Sequence, residues 1–139
     1  MPVLTRRGAP DLYYEFDDYT DPWRAAPVIV LQHGFGRSSR FWTAWVPYLA
    51  RFYKVVRPDL RGLGESPVEF DPAKDLTIAN YLDDLVGILD ALGAESVHYC
   101  GESFGGILGM VLAAEHATRV RTLTLVSAPV YLNRSEEHT

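Results

Sequence analysis

A chain of 139 residues with 47% apolar and 22% charged side chains has the composition of one globular domain, able to bury roughly 68% of its unfolded surface, which excludes disordered, collagen-like and coiled-coil readings. A formal charge of -5 with Lys54 and Lys74 as the two lysines excludes a surface built to displace counterions from nucleic acid or an anionic membrane. Cys100 is the single cysteine, so neither an internal disulfide nor a cysteine zinc site can form, and the reducing cytosol is the expected compartment.

In chain order, the first twenty residues predict a strand pair, with Leu12, Tyr14 and Phe16 alternating after a turn at Gly8-Ala9-Pro10. Arg6, Arg7, Asp11, Glu15, Asp17 and Asp18 interrupt this segment, so no leader peptide is expected, and no run approaches the roughly 18 apolar residues of a membrane span. Asp21-Pro22 opens a loop. Val28 to Gln32 is a β-branched run without alternation, as in a strand buried on both faces of a parallel sheet. It ends at His33-Gly34-Phe35-Gly36. Trp42, Trp45, Val46 and Leu49 have the i, i+3, i+4, i+7 spacing of an amphipathic helix, kinked at Pro47, in which Trp42, Trp45 and Tyr48 are expected to be core.

A strand is predicted over Tyr53 to Arg57, then a long polar loop from Asp59 to Asp75, a length that usually carries function. Thr77 is placed to cap a helix from Ile78 to Leu92 that Gly93 stops, with Tyr81, Leu82, Leu85, Ile88, Leu89 and Leu92 on its apolar face and Asp83-Asp84 on a solvated one. A strand over Ser96 to Cys100, a helix from Phe104 to about His116 and a strand over Arg121 to Ser127 complete an alternating order. That order predicts an α/β fold, a mostly parallel sheet with helices on both faces. His98 and Cys100 are expected to pack in the sheet. Residues 1–133 read as part of a single domain. The tail Arg134 to Thr139 is wholly polar and resembles the in-frame translation of a common sequencing adapter, so it is expected to be foreign.

Gly101-Glu102-Ser103-Phe104-Gly105, followed by Gly106, fits G-x-S-x-G at a strand-to-helix junction. A serine there sits on a sharp turn, small residues two positions either side avoid the neighbouring strand and helix, and the start of a helix favours developing negative charge. His33-Gly34-Phe35-Gly36 ends one earlier strand, and Asp59-Leu60-Arg61-Gly62-Leu63-Gly64-Glu65-Ser66 ends the next. With these three motifs the chain resembles the α/β-hydrolase family over about residues 25 to 130, near its enol-lactonase, meta-cleavage-product hydrolase and small esterase branches. The resemblance implies Ser103 as the nucleophile and the backbone N–H groups of Phe35 and Phe104 as the oxyanion hole. His33, Gly34 and Gly36 would support the oxyanion loop, and Gly101 and Gly105 would form the elbow. Branches with an aspartate nucleophile are excluded by Ser103. Asp59 and Arg61 would form an ion-paired loop brace, and Phe35 and Phe104 would flank an apolar acyl pocket.

The family order of serine, acid, histidine puts the remaining triad members after Ser103. His116 lies 13 residues along a helix, about 20 Å at 1.5 Å per residue, beyond the reach of a general base, and His138 belongs to the tail. The chain is therefore expected to be the N-terminal half of a hydrolase acting on a small molecule, with no cofactor, no metal and no nucleic-acid or membrane partner, and inactive alone. Substrate identity is expected to depend on the cap and the C-terminal pocket. Two alternatives are a non-catalytic hydrolase-like binding protein and, from Gly34-Phe35-Gly36-Arg37-Ser38-Ser39 with Asp59 at the next strand end, a dinucleotide-binding unit whose third glycine is replaced by Ser39.

Overall fold

The computed structural model describes residues 2–6, 8–66 and 76–129. Strands β1 (Val3–Leu4), β2 (Leu12–Asp17), β3 (Val28–Gln32), β4 (Lys54–Pro58), β5 (Val97–Glu102) and β6 (Val120–Val126) form one sheet among these residues, in the order β1-β2-β4-β3-β5-β6. The expected strand pair at the start is present, β1 on β2 antiparallel with Leu4 opposite Leu12. β2 joins β4 antiparallel, and β4, β3, β5 and β6 run parallel. β5 extends two residues past the expected end at Cys100, to Glu102.

Helices cover both faces, because β3, β4 and β5 carry apolar side chains on both sides. Helices α2 (Ile78–Ala91) and α3 (Phe104–Glu115) pack with Val30, Val56, Val97 and Tyr99 into the larger core. Trp42 and Ala50 cover Leu31, Val55 and Cys100 on the other face. The Thr77 hydroxyl accepts the Asn80 N–H at 3.1 Å to start α2, and Gly93, at φ 67°, follows its end, as the sequence predicts.

Three expectations change. Ser39–Trp45 is a 3-10 run and only Val46–Leu49, the short α1, is α-helical, with Pro47 in its first turn, so the proline begins a helix and does not kink one. Trp42 is fully buried, but Trp45 is 40% exposed and Tyr48 80% exposed, so of the three aromatics expected in the core only Trp42 is there, while Val46 and Leu49 pack partly buried beside it. In β2, Leu12, Tyr13 and Tyr14 are all buried while Phe16 is 36% exposed, because the loop after β4 lies along this strand: Asp59 N–H donates to the Tyr13 carbonyl at 2.9 Å and Tyr13 N–H to the Ser66 hydroxyl at 3.1 Å. The tail at 134–139, with Glu136, Glu137 and His138, and the loop over 67–75 lie outside the described residues.

Candidate active site

One residue, Ser103, separates β5 from α3, at φ 52° and ψ -116°. A non-glycine residue at positive φ is uncommon and costs roughly 1–3 kcal/mol, so its surroundings must hold it. Ser103 N–H donates to the Val126 carbonyl of β6 at 2.9 Å, and the Ser103 carbonyl accepts from Gly106 at 2.9 Å and from Ile107 at 3.2 Å. Two glycines admit the turn. A Cβ at position 101 would overlap the Gly105 carbonyl, and one at position 105 would overlap the Gln32 carbonyl and stand 2.8 Å from that of His33. The Gly105 carbonyl takes the buried Tyr99 hydroxyl at 2.6 Å. The start of α3 is thus pressed on the end of β3, the adjacent parallel strand.

That strand delivers the second loop. His33 is fully buried; its Nδ1 lies 2.7 Å from the Gly34 carbonyl and its Nε2 lies 3.0 Å from the Leu60 N–H. The hydrogen-bond network assigns the proton to Nδ1, leaving Nε2 to accept. Burial pushes this imidazole below its ordinary range, so the ring is neutral and its 4.0 Å approach to Asp59 is not an ion pair. Gly34 N–H donates to Glu102 Oε2 at 2.8 Å, and a Cβ at position 34 would stand 3.0 Å from Ser103 Cβ, so the loop backbone lies against the serine. Gly36 turns the loop at φ 74°. The Phe35 ring stacks on Phe104 at 4.1 Å, and Tyr81 meets Phe104 edge-on at 5.4 Å. Among the described residues no acceptor takes the Phe35 or Phe104 N–H.

The brace beneath this loop differs from expectation. Both Asp59 oxygens are occupied by backbone, Oδ1 by Ser39 N–H at 2.6 Å and Oδ2 by Glu65 N–H at 2.8 Å. Arg61 pairs instead with Asp84 of α2, Nε to Oδ2 at 2.8 Å and Nη2 to Oδ1 at 2.6 Å, and Arg6 reaches the same Oδ1 at 2.5 Å. Asp84 is 5% exposed, so the Asp83-Asp84 pair is not a solvated face: Asp83 is exposed and Asp84 is buried. A signal was available, since position 84 lies three residues after Tyr81 and four before Ile88, on the apolar stripe.

Cys100 is buried in the sheet, and burial pushes its thiol up to about 11, so it stays protonated at neutral pH. His98 is only partly buried, bonded through Nδ1 to the Thr122 hydroxyl at 2.7 Å. His116 caps the far end of the 12-residue α3, about 20 Å from Ser103 at 1.5 Å per residue. The glycine loop at 34–36 leads into the 3-10 run and not into an α-helix N-terminus, so it does not build the phosphate cradle of the dinucleotide alternative. A cavity of about 510 Å³ lined by Gly93, Ala94, Glu95, Thr118 and Arg119 opens at the opposite ends of the strands from Ser103. Among the described residues no three His, Cys, Asp or Glu side chains are grouped as metal ligands, and no helix is long and apolar enough to cross a membrane.

The chain is 36% identical over 120 residues to a protein of Azorhizobium caulinodans named carbamate hydrolase RutD, and 35% identical over 103 residues to 3-oxoadipate enol-lactonase 1 of Acinetobacter baylyi. These matches take in 86% and 74% of this chain but 42% and 37% of those proteins, so it spans about two fifths of the length of the curated relatives it matches. A hydrolase from Pseudomonas aeruginosa superposes with TM-score 0.83 at 31% identity over 98% of this chain and 49% of that one. The enol-lactonase of Burkholderia xenovorans gives 0.76 at 34% identity, over 86% of this chain and 44% of that one. With a family model for the alpha/beta hydrolase fold matching residues 27–138, the chain belongs to the alpha/beta hydrolase family.

Proposed function

We propose that this chain carries the nucleophile and oxyanion-binding part of a serine hydrolase acting on a small ester, lactone or related carbonyl substrate. The observation that carries the reading is the backbone of Ser103, held at φ 52° between β5 and α3 with glycine backbones packed on either side. Such a turn lifts Oγ out of the sheet at the N-terminus of a helix. Attack of Oγ on the substrate carbonyl carbon forms a tetrahedral oxyanion, and the N–H groups of Phe35 and Phe104 donate to it, supported by the α3 dipole. His33 serves this hole and not proton transfer. Its Nδ1–H holds the Gly34 carbonyl, and in a planar trans peptide the Phe35 N–H points the opposite way.

In this reading the general base and its acid come from the part of the relatives' length that this chain does not span, and the 139 residues alone turn over no substrate. The names of the relatives, among them an enol-lactonase and strigolactone esterases, support acyl cleavage of small molecules. No cofactor, nucleic acid or membrane enters the proposal, and the cytosol is its compartment. The test is labelling of the full-length protein by a fluorophosphonate probe. Labelling that disappears in Ser103→Ala is the expected result, and labelling that survives it refutes the assignment.

A further inference from the structure

Glu102 is the residue that the motif reading passed over. It occupies the variable position immediately before Ser103, yet it is only 7% exposed. Strand alternation puts it on the side of β5 that carries Cys100, under the 3-10 run and α1. A carboxylate this far from water has to be compensated by donors. Both of its oxygens have one: Oε2 accepts the Gly34 N–H at 2.8 Å and Oε1 faces Arg37 Nε at 3.3 Å. Arg37 is itself held from a second side, its guanidinium carbon lying 4.5 Å over the Phe41 ring.

The two contacts bracket one short segment. Gly34 and Arg37 are the ends of the turn that carries Phe35, and one carboxylate grips both. We propose that Glu102 is a positioning residue whose carboxylate clasps residues 34–37 and so fixes the direction of the Phe35 N–H relative to Ser103. The proposal rests on the reading of Ser103 as nucleophile and Phe35 as oxyanion donor. The geometry explains why the clasp is needed. His33 fixes the carbonyl of Gly34, but rotation about the Gly34 backbone bonds is stopped only when its N–H is fixed as well. The Phe35 ring is held on one side by Phe104 but is 59% exposed, and glycine at positions 34 and 36 leaves the turn backbone intrinsically loose. Because Glu102 adjoins Ser103 in the chain, the clasp ties the hole directly to the nucleophile it serves.

The experiment measures ester hydrolysis, affinity for an aryl boronic acid and thermal unfolding of the full-length protein. In Glu102→Ala, kcat is expected to fall on the order of 10²-fold, as for an oxyanion donor displaced by about 1 Å, with KM within about threefold and boronate affinity falling in step with kcat. Glu102→Gln keeps a carbonyl oxygen for the Gly34 N–H and loses the ion pair, so its loss should be about tenfold and matched by Arg37→Ala. The double variant Glu102→Gln with Arg37→Ala should be no worse than either single one. A kcat for Glu102→Ala within about twofold of the parent, or a loss confined to KM, overturns the proposal. If Glu102→Ala does not fold, unchanged kcat in both Glu102→Gln and Arg37→Ala overturns it. Fluorophosphonate labelling that needs Ser103 alongside Glu102-independent kcat sinks the clasp alone, whereas labelling independent of Ser103 sinks the underlying reading as well.

Discussion

Replacing Asp84 by alanine removes a buried carboxylate that two arginines share. Arg61 has a side chain 4% exposed and bonds Asp84 through Nε and Nη2, and Arg6 is 19% exposed. Breaking a buried pair by deleting one member costs about 3–5 kcal/mol, a large share of the roughly 5–15 kcal/mol that holds a domain folded. For a chain of this size each kcal/mol moves the midpoint by about 3–5 °C, so Asp84→Ala should lower Tm by about 10–20 °C. Asp83→Ala, one residue earlier but exposed, should stay within about 0.5 kcal/mol of the parent. Arg61→Met with Asp84→Leu should recover part of the loss, since the more deeply buried of the two arginines is then removed with its carboxylate and only Arg6, 19% exposed, loses its partner. Differential scanning calorimetry of the four proteins is the assay. Equal midpoints for Asp83→Ala and Asp84→Ala would refute the claim that adjacent aspartates have opposite roles.

Three other outcomes are expected. Gly105→Ala forces a Cβ into the Gln32 carbonyl and should cost about 3 kcal/mol together with loss of fluorophosphonate labelling, whereas an unshifted melt would show that the β3–α3 crossing yields cheaply. His33 is held neutral below its ordinary 6.5, so the native state binds fewer protons than the unfolded one; stability should be full above pH 6.5 and decline as pH falls below it. His33→Asn should flatten that decline in melts from pH 7.5 to 5.5, and an unchanged slope would assign it elsewhere. The 139-residue chain by itself should self-associate in light scattering, because β6 is an edge strand pairing only with β5 among the described residues and Trp45 and Tyr48 are exposed; a monodisperse monomer would refute this.

The parallel strands were legible because a strand covered on both faces has no polar positions to alternate, as Val28 to Gln32 illustrates. The candidate site was legible because Gly101 and Gly105 are demanded by backbone contacts, and such contacts admit one residue type. The 3-10 run was not, since Trp42, Trp45 and Val46 satisfy helical spacing whether or not the turns are α-helical. Nor could local pattern pair Arg61 with Asp84 or Glu102 with Gly34, because a charged side chain has several equally good partners until the chain brings one to it. The fate of Asp84 was half visible, in its place on the apolar stripe of α2.

The parallel pairing of β3 with β5 sets the order in which this site can be assembled. Gln32 lies opposite Gly101, about seventy residues apart, and closing such a loop costs on the order of 4 kcal/mol of chain entropy before any contact rewards it. β5, α3 and β6 close over much shorter distances, so the strained serine can be formed on its own unit early. The loop at 33–36 reaches it only when the two central strands meet. Under the proposed function, folding and formation of the oxyanion hole are then the same late event, and a kinetic probe of Ser103 reactivity should report completion of the sheet.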